Sequence, residues 1–597
     1  MSTTGASEPT RLFDFAHYAL KTHPREDCLV TKVNGEWVKT STQEFIDKGY
    51  QLSAGLIKLG VKPGDKIAII STTNRTEWNI TDLGILQVGA IDVPVYPTIS
   101  EDDYEYIFND ASVSYCFLSD QGLYDKVKAI QSKVPTLKEI YSFEEIEGCK
   151  NWNEVLELGA NPDIDAIEAI KAEVKEDDLA TLIYTSGTTG KPKGVMLSHK
   201  NVSMNAKVSR GRLPVGSDAI GLSFLPLCHI YERMLIYLYC YSGMGLYYAE
   251  SMDTIGDNIR EVQPHVFTAV PRLLEKVYDK IIDKGASLTG IKKALFFWAV
   301  SLGEEYDIHG KSSWYHFKLK IARKIIFSKW KEALGGRVLA VASGSAALNP
   351  KLARVFLAAD INIQEGYGLT ETSPVVSVNC PDNDGTRIGC VGRIIDGVEV
   401  KIADDGEILV KGHNVMMGYY NKPEQTAEVI DEDGYFHTGD IGTFVEGEFL
   451  KITDRKKEIF KTSGGKYIAP QIMENSFKES HFIEQIMVIG EGEKHPAAFV
   501  QPDFEFLKSW CKRKDIPYTT DAEMIQMERI VNRIGREIEH HNKGFGKWEQ
   551  VKKFELTPDV WSIDAGHVTP TLKLRRKPII SKYNDLYEKI YGHKKEV

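Results

Sequence analysis

With 597 residues, 42% of them hydrophobic, the chain is long enough to bury large cores and to form two to four domains. Its formal charge of −11 argues against a general nucleic-acid binder. Eight cysteines without a Cys-x-x-Cys pair point to a reduced, cytoplasmic protein rather than a disulfide or zinc scaffold; the polar first eleven residues lack the apolar segment of a secretory signal, and no apolar run reaches the roughly 18–20 residues of a spanning helix.

Taken in order, the patterns predict an α/β chain. Residues 13–20 and 42–59 read as helices on either side of a hairpin at 28–38. Strands follow at 66–71, 91–96 and 114–118, with a helix carrying Trp78, Leu83 and Leu86 between the first two and another helix at 123–133. Apolar runs at 179–183 and 195–197 read as strands, and Ser198 can cap a helix starting near Asn201. Strands at 222–225, 266–270, 338–341 and 361–364 come next, with Pro271 at the first position of one helix and a second helix at 351–359. Such alternation predicts largely parallel sheets, whose ligands sit beyond the carboxyl ends of the strands. Residues 389–453 change character: runs at 398–402, 406–410 and 447–452 between Gly/Asp turns predict antiparallel strands. Residues 454–458 are all charged and mark a domain boundary, after which shorter elements alternate at 471–476, 483–489, 497–500, 523–540 and 551–556.

Between the strands at 179–183 and 195–197 lies Tyr184-Thr185-Ser186-Gly187-Thr188-Thr189-Gly190-Lys191-Pro192-Lys193-Gly194. Glycines let backbone N–H groups turn inward to form an anion nest; hydroxyls add donors and the two lysines add positive charge. The loop suits a polyphosphate. It is not a Walker A loop, because Pro192 follows Lys191 and a strand, not a helix, comes next.

Four further pieces are ordinary alone. Tyr367 lies between Gly366 and Gly368, where a ring can stack on a purine or simply pack. Glu371, after a strand end, can meet Mg²⁺ or solvent. Residues 437–440 read as a tight turn that offers Asp440 to a ribose or uses it as a cap. Lys573 stands in a basic run near the C-terminus that would by default be a solvated tail.

In this order, with Asp454-Arg455 and Gly464-Gly465-Lys466 between them, the pieces resemble the adenylate-forming superfamily of acyl-CoA synthetases, luciferases and peptide-synthetase adenylation domains. Within it, Phe224-Leu-Pro-Leu-Cys-His229-Ile-Tyr-Glu-Arg233, Ser343-Gly-Ser-Ala-Ala-Leu348 and the run around Lys573 are similar to long-chain fatty acid–CoA ligases of bacterial type. The resemblance implies a large N-terminal domain over 1–454, built of stacked α/β subdomains plus a small β-barrel-like part, a hinge at 455–459 and a small mobile α+β domain over 460–597. It implies activation of a fatty acid by ATP to an acyl-adenylate and then transfer to CoA. Transfer to a carrier protein, or use of medium-chain or aryl acids, are the alternatives inside the family. A P-loop NTPase is the rival outside it.

The resemblance also assigns residues. Thr185, Ser186, Gly187, Thr188, Thr189, Gly190 and Lys191 would wrap the ATP phosphates, with Gly366, Tyr367 and Gly368 at the adenine and Thr370 at the α-phosphate. Glu371 would hold Mg²⁺. Asp440 and Arg455 would bind the ribose, and Lys573 would bridge the acyl carboxylate and the α-phosphate; with Glu371 and Thr185 it forms the catalytic set. Lys457 matches the hinge, and Gly464 and Gly465 the pantetheine tunnel. One departure is Leu572, where many relatives have glycine. His229 and Phe224 would border the acyl site, and the small residues Gly344 and Ser345 would leave its wall open or pack densely. Finally, residues 314–331 interleave six basic side chains with Trp314, Phe317, Ile321, Ile325 and other apolar residues, without an acid. They read as one basic amphipathic helix, lying on a membrane or packed on its own domain. An oligomer is compatible with all of this.

Overall fold

The computed structural model describes residues 7–185, 191–381, 384–562, 565–569 and 573–596. Backbone packing divides the chain into two compact units. The first comprises Met1–Lys401, Leu409–Thr438 and Phe444–Leu450; the second comprises Ile402–Ile408, Gly439–Thr443 and Lys451–Val597.

The first unit holds two sheets. In one, Leu29–Val33, Gly245–Tyr248, Ile220–Ser223, Val266–Ala269, Ala340–Ser343 and Ile363–Gly368 lie side by side and parallel, with antiparallel Glu36–Thr40 at one margin and Val375–Val378 beyond the other. In the other, Leu179–Thr185, Ile91–Val95, Lys66–Ile70, Val113–Leu118, Glu139–Ser142 and Lys150–Asn151 are parallel, and Lys193–Ser198 and Gly418–Tyr419 add on antiparallel. Side-chain alternation sorts three cores. Ile67 and Ile69 face a core shared with the first sheet's Leu246 and Val266, filled by the helices Thr42–Lys58, Thr76–Gln87, His199–Arg210 and Ile230–Ser242. Ala68 and Ile70 face the helices Glu101–Ala111 and Gln121–Ile130. Phe267 and Val341 face Pro271–Ala286, Gly290–Glu304 and Pro350–Ala358. Strands covered on both faces need unbroken apolar runs, and Lys66–Ile70 has one. Helix starts follow local chemistry. Ser41 and Glu44 form a capping box, Ser198 accepts from the Asn201 N–H, and Pro271 occupies a first turn.

The second unit is built on Ile483–Ile489, Ala497–Pro502 and Lys553–Leu556. Alternation again makes two cores. Ala498 and Val500 face Pro470–Phe477, Phe504–Arg513 and Glu528–Asn542; Ala497 and Phe499 face Arg576–Lys582 and Asn584–Tyr591. Phe460 and Ile468 pack into the former core, and Leu574 into the latter.

Several expectations are corrected. Residues 437–440 are not a tight turn but part of the strand Phe436–Val445, in which Gly439 takes a left-handed φ of 74° that glycine adopts without strain. The strands expected at 338–341 and 361–364 begin about two residues later, as Ala340–Ser343 and Ile363–Gly368. The helix expected over 523–540 is two, Asp521–Met524 and Glu528–Asn542. Residues 314–331 are not one continuous α-helix: Ser313–Ala322 passes through a π turn, Arg323–Phe327, into Ser328–Ala333.

Candidate active site

The carboxyl ends of four parallel strands line up along one margin of the first sheet. Leu222 stands opposite Phe267, Ala269 opposite Ser343, and Ser343 opposite Glu365. The segments at and beyond these ends therefore share an edge: Phe224 to His229, Gly344 with Ser345, and the strand end Gly366 to Gly368 with the turn up to Glu371. This is where ligands of open parallel sheets sit.

The tyrosine loop is shaped by its glycines. Gly366, Tyr367 and Gly368 pair antiparallel with Val378, Ser377 and Val375, with a register shift at Tyr367/Gly368. A Cβ at Gly368 would lie 1.8 Å from the Pro374 carbonyl oxygen, so only glycine fits. Tyr367 is half-buried. Thr370 and Glu371 begin a single 3₁₀ turn, Thr370–Thr372.

Residues 186–190 of the phosphate loop lie outside the described residues, but both its flanks are described. Leu179–Thr185 and Lys193–Ser198 form an antiparallel hairpin with Thr185 opposite Lys193. Tyr184 donates to Asp110 at 2.7 Å, and its ring lies across Gly194, whose Cβ would sit 3.0 Å away. Lys191 Nζ is 4.8 Å from the Tyr106 ring centre, and Lys193 Nζ is 4.7 Å from that of Tyr419.

Tyr419 links hairpin and carboxylate. Its hydroxyl donates to Glu371 Oε1 at 3.0 Å, while the Met417 N–H donates to the Met196 carbonyl and the Tyr420 N–H to that of Gly194. Burial, then the Glu371 charge, push the Tyr419 phenol above its ordinary range, so it remains a donor. A ring 48 residues downstream of Glu371 thus brings that acid to the strand leaving the phosphate loop. No local sequence signal marks Tyr419. No cluster of three metal-ligating side chains occurs among the described residues. Mg²⁺ does not require one, since it takes one or two carboxylates and fills its shell with water and phosphate oxygens. Glu371, half-buried and engaged through one oxygen by Tyr419, fits that donor set.

At the acyl end, His229 caps the helix Ile230–Ser242 and its Nδ1 accepts from the Tyr231 N–H. Gly344 does not leave a gap: the Tyr231 ring fills the space, 3.3 Å from where a Cβ would be. Ser345 holds a left-handed φ of 70°, and Phe224 packs on Phe267 with ring centres 6.2 Å apart. Glu365, just before the tyrosine loop, is buried, and burial pushes its carboxyl up to about 8.

The remaining assigned residues belong to the second unit. Arg455 Nε lies 3.4 Å from Asp440 Oδ1, so this pair is brought together, and Arg455 also reaches Glu458 at 3.8 Å. Asp454 is buried, which pushes its carboxyl up to about 7. Lys457 sits in the turn between the strands Phe449–Arg455 and Phe460–Lys461. Gly464 and Gly465 occupy the tip of the hairpin of Phe460–Lys461 and Tyr467–Ile468; Gly465 has a φ of 74° and open space beside it. The Lys573 N–H donates to Thr569 Oγ1 at 3.1 Å and its carbonyl accepts from the Thr569 N–H at 2.8 Å, tying the lysine to the chain before Arg576–Lys582. Leu572 lies outside the described residues.

Comparison with known proteins bears on the whole chain. A family model described as AMP-binding enzyme matches residues 15–420, and one described as AMP-binding enzyme C-terminal domain matches residues 457–595. A long-chain-fatty-acid–CoA ligase of Mycobacterium bovis is 32% identical over 567 residues, covering 94% of this chain and 93% of its own. Long-chain-fatty-acid–CoA ligase 1 of Homo sapiens is 32% identical over 601 residues, covering 93% of this chain and 82% of its own. Among solved structures, the adenylation domain of a carboxylic acid reductase from Segniliparus rugosus, in complex with AMP and a co-purified carboxylic acid, aligns with a TM-score of 0.73 at 21% identity, covering 98% of this chain and 94% of that one. An anthranilate CoA ligase in complex with anthranoyl-AMP aligns with a TM-score of 0.72 at 18% identity, covering 98% and 99%. The structural matches establish the fold of adenylate-forming enzymes, and by the family matches and the near-full-length relatives this chain belongs to the AMP-binding enzyme family.

Proposed function

We propose that this enzyme is a long-chain fatty acid–CoA ligase: it activates the acid with ATP through an acyl-adenylate, transfers the acyl group to CoA, and releases AMP and pyrophosphate. The observation that carries the reading is the meeting of Lys193, Tyr419 and Glu371, in a chain whose near-full-length relatives bear that name.

The chemical difficulty is charge. A carboxylate attacking an α-phosphate meets like charge, and no covalent nucleophile is needed if that charge is cancelled in place. Lys191 and Lys193 would lie at the departing phosphates, Thr370 at the α-phosphate and Lys573 between it and the acid. Mg²⁺ on Glu371 would screen the phosphate oxygens. Tyr367 would flank the adenine, and Asp440 with Arg455 would take the ribose. The carboxylate bonds to the α-phosphorus as pyrophosphate leaves. A thiol presented past Gly464 and Gly465 then adds to the acyl carbon and AMP leaves. Phe224, His229, Gly344 and Ser345 would line the acyl end. Each buried methylene contributes about 0.8 kcal/mol, so some eight additional carbons supply about 6 kcal/mol of preference for a long chain.

In this reading 1–454 binds ATP and acid, 455–459 is the hinge around Lys457, and 460–597 moves. The enzyme works in the cytoplasm with a peripheral membrane contact through residues 314–331. ATP–pyrophosphate exchange over a panel of acids, repeated with CoA, tests the reading. Exchange with long-chain acids and AMP formation on adding CoA are expected; orthophosphate as product would overturn it.

A further inference from the structure

Two neighbouring helices of the first unit leave apolar side chains facing water. Along Ser313–Ala322 and the π turn that continues it, Tyr315, Leu319, Ala322 and Phe327 turn into the core. Trp314, Phe317, Ile321 and Ile325 face outward, with exposures of 65%, 54%, 40% and 39%. Spacings of three, four and four residues place these four on one line along the helix. The rings of Trp314 and Phe317 stack with centres 5.5 Å apart. The adjoining helix Gly290–Glu304 adds Ile291, 79% exposed, and Leu295, 38% exposed.

The cations of this segment fall into two sets. Arg323 is spent on the Ala358 and Leu357 carbonyls, and Lys331 on Asp360. Lys318, Lys320, Lys324 and Lys329 have no ion-pair partner among the described residues, and the first three border the apolar line.

Charge selects the occupant. The chain as a whole carries −11, yet residues 314–331 hold six basic side chains and no acid. A second copy meeting this face about a two-fold axis would bring like charges together. An anionic bilayer satisfies both features. Aromatic rings settle at headgroup level, lysine stems lie along apolar surface with their ends in water, and anionic lipids attract the ammonium groups. No described helix is long and apolar enough to cross a membrane, so the mode is lying on it rather than spanning it. We infer that Trp314, Phe317, Ile321 and Ile325 insert into the interface of an anionic membrane, with Lys318, Lys320 and Lys324 at its headgroups. This deepens the membrane contact named in the proposed function, and it would place the enzyme on the phase where long-chain acids dissolve. The docking itself does not depend on catalysis.

The test is co-sedimentation of the full chain with phosphatidylcholine vesicles, with and without phosphatidylglycerol. Binding to the anionic vesicles is expected, weakened by salt. It should fall about tenfold or more in Trp314→Ser/Phe317→Ser and equally in Lys318→Glu/Lys320→Glu/Lys324→Glu. Brominated lipid should quench tryptophan emission of the unaltered chain more than that of Trp314→Phe, which keeps the apolar line. ATP–pyrophosphate exchange with acid delivered on albumin should be unchanged in all variants, which separates loss of docking from loss of activity. Binding indifferent to both sets of substitutions, equal binding to neutral vesicles, or a dimer in sedimentation velocity that Trp314→Ser/Phe317→Ser abolishes would each overturn the proposal.

Discussion

Tyr419 illustrates how one hydroxyl can set a site. Hydrogen bonds to charged groups contribute about 1.5–3 kcal/mol, so Tyr419→Phe should lower the rate of ATP–pyrophosphate exchange about tenfold by loosening Glu371. Glu371→Gln should cost about a hundredfold or more, because the charge itself is lost. Conversion of supplied acyl-adenylate should be unmoved in Tyr419→Phe; an equal loss there would mean a folding defect instead. Glu365 gives a pH prediction. Its carboxyl titrates near 4.5 when unfolded and about 8 when folded, so the folded state keeps a proton that the unfolded state has released. The stability this contributes is full below pH 4.5 and is lost as pH rises through 8, a drop of roughly 2–3 kcal/mol between pH 6 and 9. Thermal melts should show that alkaline drop reduced by this amount in Glu365→Gln, and parallel melts of the two proteins would refute it. The sequence exposes Glu371, Tyr367 and the phosphate loop because they sit in short motifs with distinctive glycines. It hides Tyr419 and Glu365, whose roles arise from contacts between distant segments and from burial.

The helix Ile230–Ser242 is held between the two sheets of the first unit by two adjacent polar residues, Glu232 and Arg233. Glu232 accepts from Ser223 Oγ at 2.5 Å and Thr268 Oγ1 at 2.6 Å, both on the first sheet. Arg233 donates to Thr181 Oγ1 of the second sheet at 2.6 Å and to Asp82 at 2.6 Å, and pairs with Asp92 at 3.0 Å. Tyr237 also donates to Asp82, at 2.5 Å. Removing one partner of such a buried cluster strands the others, so Arg233→Met should destabilise the chain by about 3–5 kcal/mol in urea unfolding. Adding Asp82→Asn should restore part of that loss; if the double variant is worse, the stranded Asp82 carboxylate is not the cause. The motif around His229 is legible in the sequence, but not that Glu232 and Arg233 serve opposite sheets. Other elements sort the same way. The hairpin of Leu179–Thr185 and Lys193–Ser198 is legible because apolar runs flank a glycine-rich turn. Phe436–Val445 is not, because His437-Thr-Gly-Asp440 has the composition of a turn, yet the chain runs on as a strand with Gly439 at a left-handed φ. The π turn at Arg323–Phe327 has no sequence mark; there Arg323 reaches across to the Ala358 carbonyl.

At the scale of the whole molecule, the assigned residues are shared between two units that fold on separate cores. Glu371, Tyr367 and the flanks of the phosphate loop belong to the first; Asp440, Arg455, Gly464, Gly465 and Lys573 belong to the second. Within the second unit, the hairpin bearing Gly464 and Gly465 packs through Phe460 and Ile468 on one side of the three-stranded sheet. Lys573 lies next to Leu574, which packs on the other side. In the proposed function the lobe carries one chemistry on each side, so serving both half-reactions would require it to reorient between them, and the turn at Lys457 is the proposed place for that rotation. Lys457→Pro fixes φ near −65° and should hold the lobe in one orientation. We predict that it keeps pyrophosphate exchange within about threefold while acyl-CoA formation falls about a hundredfold or more. Lys573→Ala should do the converse, losing exchange by about 10²–10³ while still converting supplied acyl-adenylate with CoA. Measuring both half-reactions in both variants decides the matter. Equal losses of the two half-reactions in Lys457→Pro would mean that the turn supports the fold rather than rotation. Equal losses in Lys573→Ala would mean that a single arrangement of the lobe serves both steps.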